Sequence, residues 1–432
     1  MKKFLAVFLF LAASLPAPPL FAQGDTPLAL SEAYEIALEN NENIQVARNN
    51  QAIARETVTE SRSALLPELE LRAQSYEQKE RPTTPGVTIP SDETTWGADL
   101  TQPLYRGGQL WFNLSRARYE RQRVRFQTFR QKQQILLRVA ESYYRIILAE
   151  KNIDIAENTL DRAESQLEQA QARYDVGKVT RNAVLRAEVD VSEARQQHIE
   201  ARNQADVARE DLAVELGLEE SNWTVREPGT QDFSDTGLQS LVQRAYEARR
   251  DLRQSDRNID ASFENVRSKR ADYYPNFSLV GSYNNTNNPS FSTPEEDWRI
   301  TLQGSYPLFA GGREVSQIEQ AELQFQNART RHRRLKREVR RDVRQAHSNY
   351  RTQQSVVQTL EQQVQSAREN YREISAQFEE GLVDAVDVSD ALTTLNESEL
   401  RLASARNTLR LDRLRLKQAL GTFAESHLEK GN

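Results

Sequence analysis

The sequence contains no cysteine. Disulfides, thiolate metal sites, a cysteine nucleophile and a lipid-bearing cysteine are thereby excluded, while the redox compartment stays open. Histidine is scarce, and His198, His332, His347 and His427 share no ligand spacing. There is also no Gly-rich phosphate loop and no nucleophile–base pair, so no enzyme, metal or cofactor is expected. No segment after the N-terminus approaches 18 uninterrupted apolar residues, so no transmembrane helix is expected. Apolar residues make up 38% of the 432 and charged residues 28%, with a mean hydropathy of −0.74. That is apolar-poor for one filled core of this size. Long helices wetted on one or both sides fit it better.

Glycine and proline are missing over two long stretches. Neither occurs from Gln109 to Val176, 68 residues closed by Gly177. From Ile146 the small or apolar positions step by three and four: Ile146, Ala149, Ile153, Ala156, Leu160, Ala163, Leu167, Ala170, Tyr174. Such a heptad seam predicts a coiled-coil helix, roughly 100 Å long at 1.5 Å per residue. Adding 204 to each number reaches Arg313–Glu380, again free of both residues and closed by Gly381. The seam recurs there as Tyr350, Gln353, Val357, Leu360, Val364, Ala367, Tyr371, Ile374 and Phe378. The chain is a tandem duplication.

At the N-terminus, Met1-Lys2-Lys3, the apolar run Phe4 to Leu15 and Leu20-Phe21-Ala22 predict a signal peptide over 1–22. Its removal takes the formal charge from −6 to −8, and an acidic exported chain is a poor nucleic-acid binder. The Arg-rich run from Arg329 to Arg344 reads as a solvated helix face. Repeat 1 covers 23–217. A helix from Ser31, its expected N-cap, to Ala64 breaks near Asn40–Asn43 and stops at Pro67. Position N3 is then Tyr34, so no capping box is expected. A β-hairpin follows at about 68–102. Leu69, Leu71 and Ala73 alternate with polar residues on one strand, and Trp96, Ala98 and Leu100 on the other, around a loop at 77–93. The joint Pro103-Leu104-Tyr105-Arg106-Gly107-Gly108 leads into a long helical hairpin over 109–216, whose second helix has an alanine-rich seam. Residues 218–236 read as a linker. Repeat 2 covers 237–421, with a hairpin at about 276–306, the joint Pro307 to Gly312 and a helical hairpin over 313–420. Residues 422–432 form a tail.

Two strands of about nine residues per repeat, apolar on one face, have the length of bilayer-crossing β-strands. Four strands cannot seal their own edges, so copies must join: a dimer gives eight strands, a trimer twelve. Solvent-exposed hairpins on a structural coiled-coil protein of the cell envelope, without a channel, are the alternative.

The duplicated plan, the Pro-Leu-aromatic-x-Gly-Gly joints, the Gly177 and Gly381 turns and the helix-ending Leu-Gly pairs resemble the TolC-like outer membrane efflux proteins over about residues 27 to 421. The resemblance implies a mostly α-helical fold with transmembrane β-strands, a homotrimer with a twelve-stranded barrel in outer membrane lipid, and a periplasmic helical tunnel. It implies the exit duct of an inner-membrane transporter and a periplasmic adaptor, in efflux or type I secretion. It further implies adaptor docking at the tips, at Gly177, Val179 and Thr180 with Gly381, Leu382 and Val383. Pro103, Gly107, Gly108, Pro307, Gly311 and Gly312 are the strand–helix joints. Asp387 and Asp390, three apart on one helix face, match the carboxylates of the periplasmic constriction. Crowding there would raise some of their pKa values and attract cations. Where relatives latch the tip with a Tyr–Asp and an Arg–backbone link, this chain has Phe378, Ala183 and Val383. Other pairs, such as Arg181 or Arg186 with Asp384, are expected to close the entrance, or its resting state is looser.

Overall fold

The computed structural model describes residues 27–429 except 78–80, 85–86, 90–91, 220, 222, 230–236 and 290–293. The expected signal peptide over 1–22 lies outside the described residues. The first helices are α1 (Leu30–Asn40) and α2 (Glu42–Ser63). They part at Asn41, as the asparagine cluster predicts. Its side chain accepts from Asn43 N–H at 3.0 Å and its amide donates to Glu215 O at 2.9 Å. The N-cap of α1 is Ala29, not Ser31. Starting two residues early makes Glu32 the N3 residue, and Ala29 N–H donates to Glu32 Oε2 at 2.9 Å. Half of a capping box therefore forms where none was expected.

Strands β1 (Glu68–Glu77) and β4 (Asp92–Arg106) pair antiparallel. Between them, β2 (Arg81–Thr84) and β3 (Val87–Ile89) pair with each other where a plain loop was expected. β4 runs past its predicted end, through Pro103, because it pairs on its other side with β5 (Asn276–Thr286). The register shifts between Pro103 and Tyr105, which suits a residue that cannot donate to the ladder. β6 (Glu296–Ser305) pairs with β5, and the sheet order is β1-β4-β5-β6. The two hairpins are thus one sheet.

Gly107 and Gly108 turn β4 into the first long helix at φ of 59° and 84°. A Cβ on Gly107 would lie 2.4 Å from Ala271 O, so the joint can only be glycine. The long helices are α3 (Gln109–Asp175) and α7 (Arg313–Glu380), each returning as a shorter partner, α4 (Arg181–Leu216) and α8 (Ala385–Ala419). In α3 the predicted seam buries Ile146, Ala149, Ala156, Ala163 and Ala170, while Tyr174 at the tip is 40% exposed. The second repeat enters through α5 (Leu238–Ala248) and α6 (Arg250–Arg270), equivalent to α1 and α2 at an offset of 208.

Among the described residues the buried side chains form separate clusters strung along the helices. One gathers Tyr34, Leu136, Val139, Tyr143, Leu212 and Leu216. Its counterpart joins Leu241, Leu252, Val339, Val343, Leu416 and Leu420. The expected tail folds back as α9 (Glu425–Glu429), and Phe423 and Leu428 complete the first cluster. Phe423 and Leu428 are each 2% exposed, and Gln133 Nε2 donates to Phe423 O at 2.9 Å. The linker is pinned too. Leu28 bridges to Val225, and the Tyr143 hydroxyl lies between Leu28 O and Arg226 O. Burial pushes that hydroxyl up to about 12.

Candidate functional site

Pleating puts alternate residues of the four strands on one face. Leu69, Leu100, Gly281 and Ile300 form one cross-strand row, and Leu71, Ala98, Tyr283 and Trp298 the next. Among the described residues nothing covers this face: Leu71 is 78% exposed, Trp298 74% and Ile300 67%. The other face carries Glu70, Asp99, Ser282 and Arg299 in one row, and Arg72 meets Asp99 at 2.6 Å. A bare apolar face backed by a polar one is the reverse of a water-soluble sheet packed on its own helices.

β1 and β6 have no partner on their outer sides among the described residues. The helices share this edge pattern. α3 touches α2, α4, α6 and α8, and α7 touches α5, α6 and α8. α2 and α4 therefore border the chain on the β1 side, and α7 on the β6 side. The two borders differ, so copies can join head to tail and close into a ring.

At the far end, α3 and α7 stand side by side. Gln166 Nε2 reaches the Tyr371 hydroxyl at 3.4 Å, and Arg173 donates to the backbone oxygens of Phe378 and Glu379. Its guanidinium carbon also sits 5.0 Å from the Phe378 ring centroid. These contacts set residue n of α3 level with about n+205 of α7. An arginine on terminal helix carbonyls is electrostatically well placed. An arginine–backbone link thus joins the two tips, from a residue that the sequence did not single out. Its repeat counterpart is Gln377, so the duplication gives no signal for it. The expected pairs do not form within the chain. Asp384 is the N-cap of α8, accepting from Val386 and Asp387 N–H at 2.8 and 3.2 Å. Arg186 Nε lies 4.0 Å from Asp190 instead.

Gly177 and Gly381 turn the tips at φ of 76° and 77°, and a Cβ on either would meet nothing within 4 Å. Thr180 and Leu382 are exposed beside them, with Val179 and Val383 partly so. Gly311 and Gly312 take φ of 66° and 80°, matching Gly107 and Gly108. Pro307 lies just past the end of β6, whereas Pro103 lies inside β4.

Asp387 and Asp390 are exposed on α8. Asp387 has a structural task as well: its Oδ2 accepts from Asp384 N–H at 3.1 Å, the return half of a capping box. The tip holds a further acid that sequence reasoning missed. Asp190 of α4 accepts from Ser389 Oγ at 3.0 Å. Burial raises its pKa; the Ser389 bond and Arg186 oppose this, and Glu193 and Asp390 add to it. Its repeat counterpart is Thr394. Asp190, Asp387 and Asp390 bring acids from both hairpins to one end of the bundle. Among the described residues no group of acids and histidines could hold a metal ion.

The family model described as outer membrane efflux protein matches residues 33–218 and 241–422, one segment per repeat. The outer membrane protein TolC of Vibrio cholerae is 28% identical over 446 residues, covering 98% of this chain and 97% of that protein. The alkaline protease secretion protein AprF of Pseudomonas aeruginosa is 25% identical, covering 93% and 86%. The outer membrane channel CmeC of Campylobacter jejuni superposes with a TM-score of 0.79 at 15% identity, over 93% of this chain and 88% of that one.

Proposed function

Because the chain belongs to the outer membrane efflux protein family, whose members form exit ducts in that membrane, we propose that three copies close its sheet into a twelve-stranded barrel continuous with a periplasmic tunnel of α-helices. The apolar face shared by all four strands of a sheet with two open edges carries this reading. In lipid an open edge leaves backbone groups unsatisfied, so the edges must meet. Two copies would make an eight-stranded barrel whose interior side chains fill it. Three leave a lumen lined by the polar face. Carrying the β4–β5 register forward by one repeat sets β6 of one copy against β1 of the next, with Gly304 opposite Ala73 and Leu302 opposite Ser75.

The chain is a passive duct for efflux or secretion; an inner-membrane transporter and a periplasmic adaptor supply the drive. The adaptor docks at the tips, where Gly177, Val179 and Thr180 and Gly381, Leu382 and Val383 offer turn backbone and exposed apolar surface. Inside the tips, Asp387 and Asp390 of three copies ring the passage. Crowded carboxylates favour cations and repel anions. In planar bilayers the wild-type channel should prefer cations and be blocked by divalent cations from the tip side. The Asp387→Ala, Asp390→Ala double variant should lose most of both properties. Unchanged selectivity would remove these acids from the constriction.

The Arg173 link holds the tips together. Each charge-assisted bond is partly exposed, so its worth is near the low end, about 1 kcal/mol per copy. Three copies acting together bias the entrance by about 3 kcal/mol, roughly a hundredfold in the open-to-closed ratio. Arg173→Ala should therefore give channels that are mostly open in single-channel recordings. If open probability stays at the wild-type level, the latch lies elsewhere.

A further inference from the structure

The Arg-rich part of α7 is the largest charged feature with no role so far. From 329 to 344 the chain holds nine arginines and lysines against two acids, Glu338 and Asp342. Arg334 pairs with Glu338, and Asp342 is shared by Arg249 and Arg341. Arg333, Lys336, Arg337, Arg340 and Arg344 are exposed and have no carboxylate within ion-pair distance among the described residues. Arg333 donates only to Thr330 Oγ1, at 3.2 Å. Val339 and Val343 point inward; Lys336, Arg340 and Arg344 flank Gln243 and Tyr246 of α5, and Arg333 lies outside that cluster. Unpaired charge along this stretch calls for an opposite surface.

The internal repeat identifies it. Within one chain, α6 packs on α3, and the contact between neighbouring copies repeats this with α2 on α7. Positions of α6 map to α2 by subtracting 208, and those of α3 to α7 by adding 204. Inside the chain, the Arg250 guanidinium carbon sits 4.5 Å from the Phe129 ring centroid. Carried across the boundary, Arg250 becomes Glu42 of the next copy and Phe129 becomes Arg333. The Gln133–Phe423 hydrogen bond becomes Arg337 with Glu219 of the next copy. Both mapped pairs are of opposite charge, although neither original pair is an ion pair. Glu42 and Glu219 are exposed, and neither has an ion-pair partner among the described residues. The Arg116–Asn265 bond maps to Gln320 with Thr57, another compatible pair.

We propose that the basic border of α7 is an intersubunit charge belt, in which Arg333 pairs with Glu42, and Arg337 with Glu219, of the next copy. It rests on the ring described above and names the residues that hold it below the barrel. The belt selects head-to-tail closure, because two α7 borders facing each other would set like charges together.

The absence of cysteine makes the test clean. Full-length Glu42→Cys, Arg333→Cys protein in membranes, treated with a short bis-maleimide, should give covalent trimers on a denaturing gel, and each single variant none. Arg333→Glu with Arg337→Glu should make the detergent-solubilised trimer dissociate at least about tenfold faster at low salt. Adding Glu42→Arg and Glu219→Arg should restore wild-type persistence, which a merely misfolded variant would not do. High salt should narrow the difference. Absent cross-links in a wild-type-like conducting trimer, or charge-reversed trimers as persistent as wild type, would overturn the belt and leave the duct intact. A wild-type protein that neither trimerises nor conducts would overturn both.

Discussion

Ile300→Arg chains should be exported and yet fail to assemble in the outer membrane. Ile300 lies mid-strand in β6, opposite Gly281, on the bare apolar face, and is 67% exposed. An arginine at the bilayer midplane of a barrel costs about 2–4 kcal/mol. Over the three copies of the proposed barrel the cost is about 6–12 kcal/mol per assembly. That rivals the whole stability of many folded domains, about 5–15 kcal/mol. The next residue is the control. Thr301 pairs with Val280 on the opposite face, in the row of Glu68 and Thr101, the face that the proposed barrel turns to its lumen. Thr301→Arg should insert as well as wild type and alter only conductance. The readout is the fraction of protein in the outer membrane as folded, heat-modifiable trimer. Equal insertion of the two variants would mean that the bare face does not meet lipid.

The strand faces, the two hairpins and the long helical seams were legible because each rests on a short period repeated many times. Alternation at Leu69, Leu71 and Ala73 fixes a face whatever the strand later pairs with. Duplication then doubled each signal. Features that belong to one copy only were not legible. β4 runs through Pro103 because β5 lies beside it, a pairing over about 180 residues that no local pattern announces. Phe423, just before α9, and Leu428 within it join the first repeat's cluster, with Phe423 edge-on to Tyr34, a contact across the whole chain that no local period signals. At the tip, Gly177 and Gly381 are visible as turns, but Arg173 and Asp190 act across elements and have unlike counterparts. Asp387 shows the converse. The family resemblance marked it, with Asp390, as a constriction acid, and the structure adds a capping role that the same carboxylate serves.

The joint between α5 and α6 shows how one duplicated problem acquired two solutions, and it carries the largest stability effect expected outside the membrane. In repeat 1 a neutral Asn41 bridges the break to Glu215 O. In repeat 2 the equivalent residue is Arg249. It meets Asp251 through two contacts of 2.6 and 3.1 Å and reaches Asp342 at 3.4 Å. The pair is buried, with Asp251 only 6% exposed. The Arg249 backbone is close enough to Gly421 that a Cβ there would sit 3.0 Å away, and the Arg249 side chain is mostly buried. Burial alone would raise the Asp251 pKa. The Arg249 hydrogen bonds, its charge, that of Arg130 and the Leu252 N–H together outweigh burial and hold it below the ordinary value. Asp251→Ala would strand a buried cation, a defect worth about 3–5 kcal/mol. Asn41→Ala, which loses a neutral cap, should cost about 1 kcal/mol. The pH dependence has a definite sign. A depressed carboxylate stabilises fully above its unfolded pKa, about 3.9, and loses that contribution as pH falls through the lower folded value. In urea titrations the gap between wild type and Asp251→Ala should be constant at neutral pH and close only below about pH 4. A gap that closes on raising the pH instead, or an Asn41→Ala variant as weak as Asp251→Ala, would refute the assignment of this joint to the ion pair.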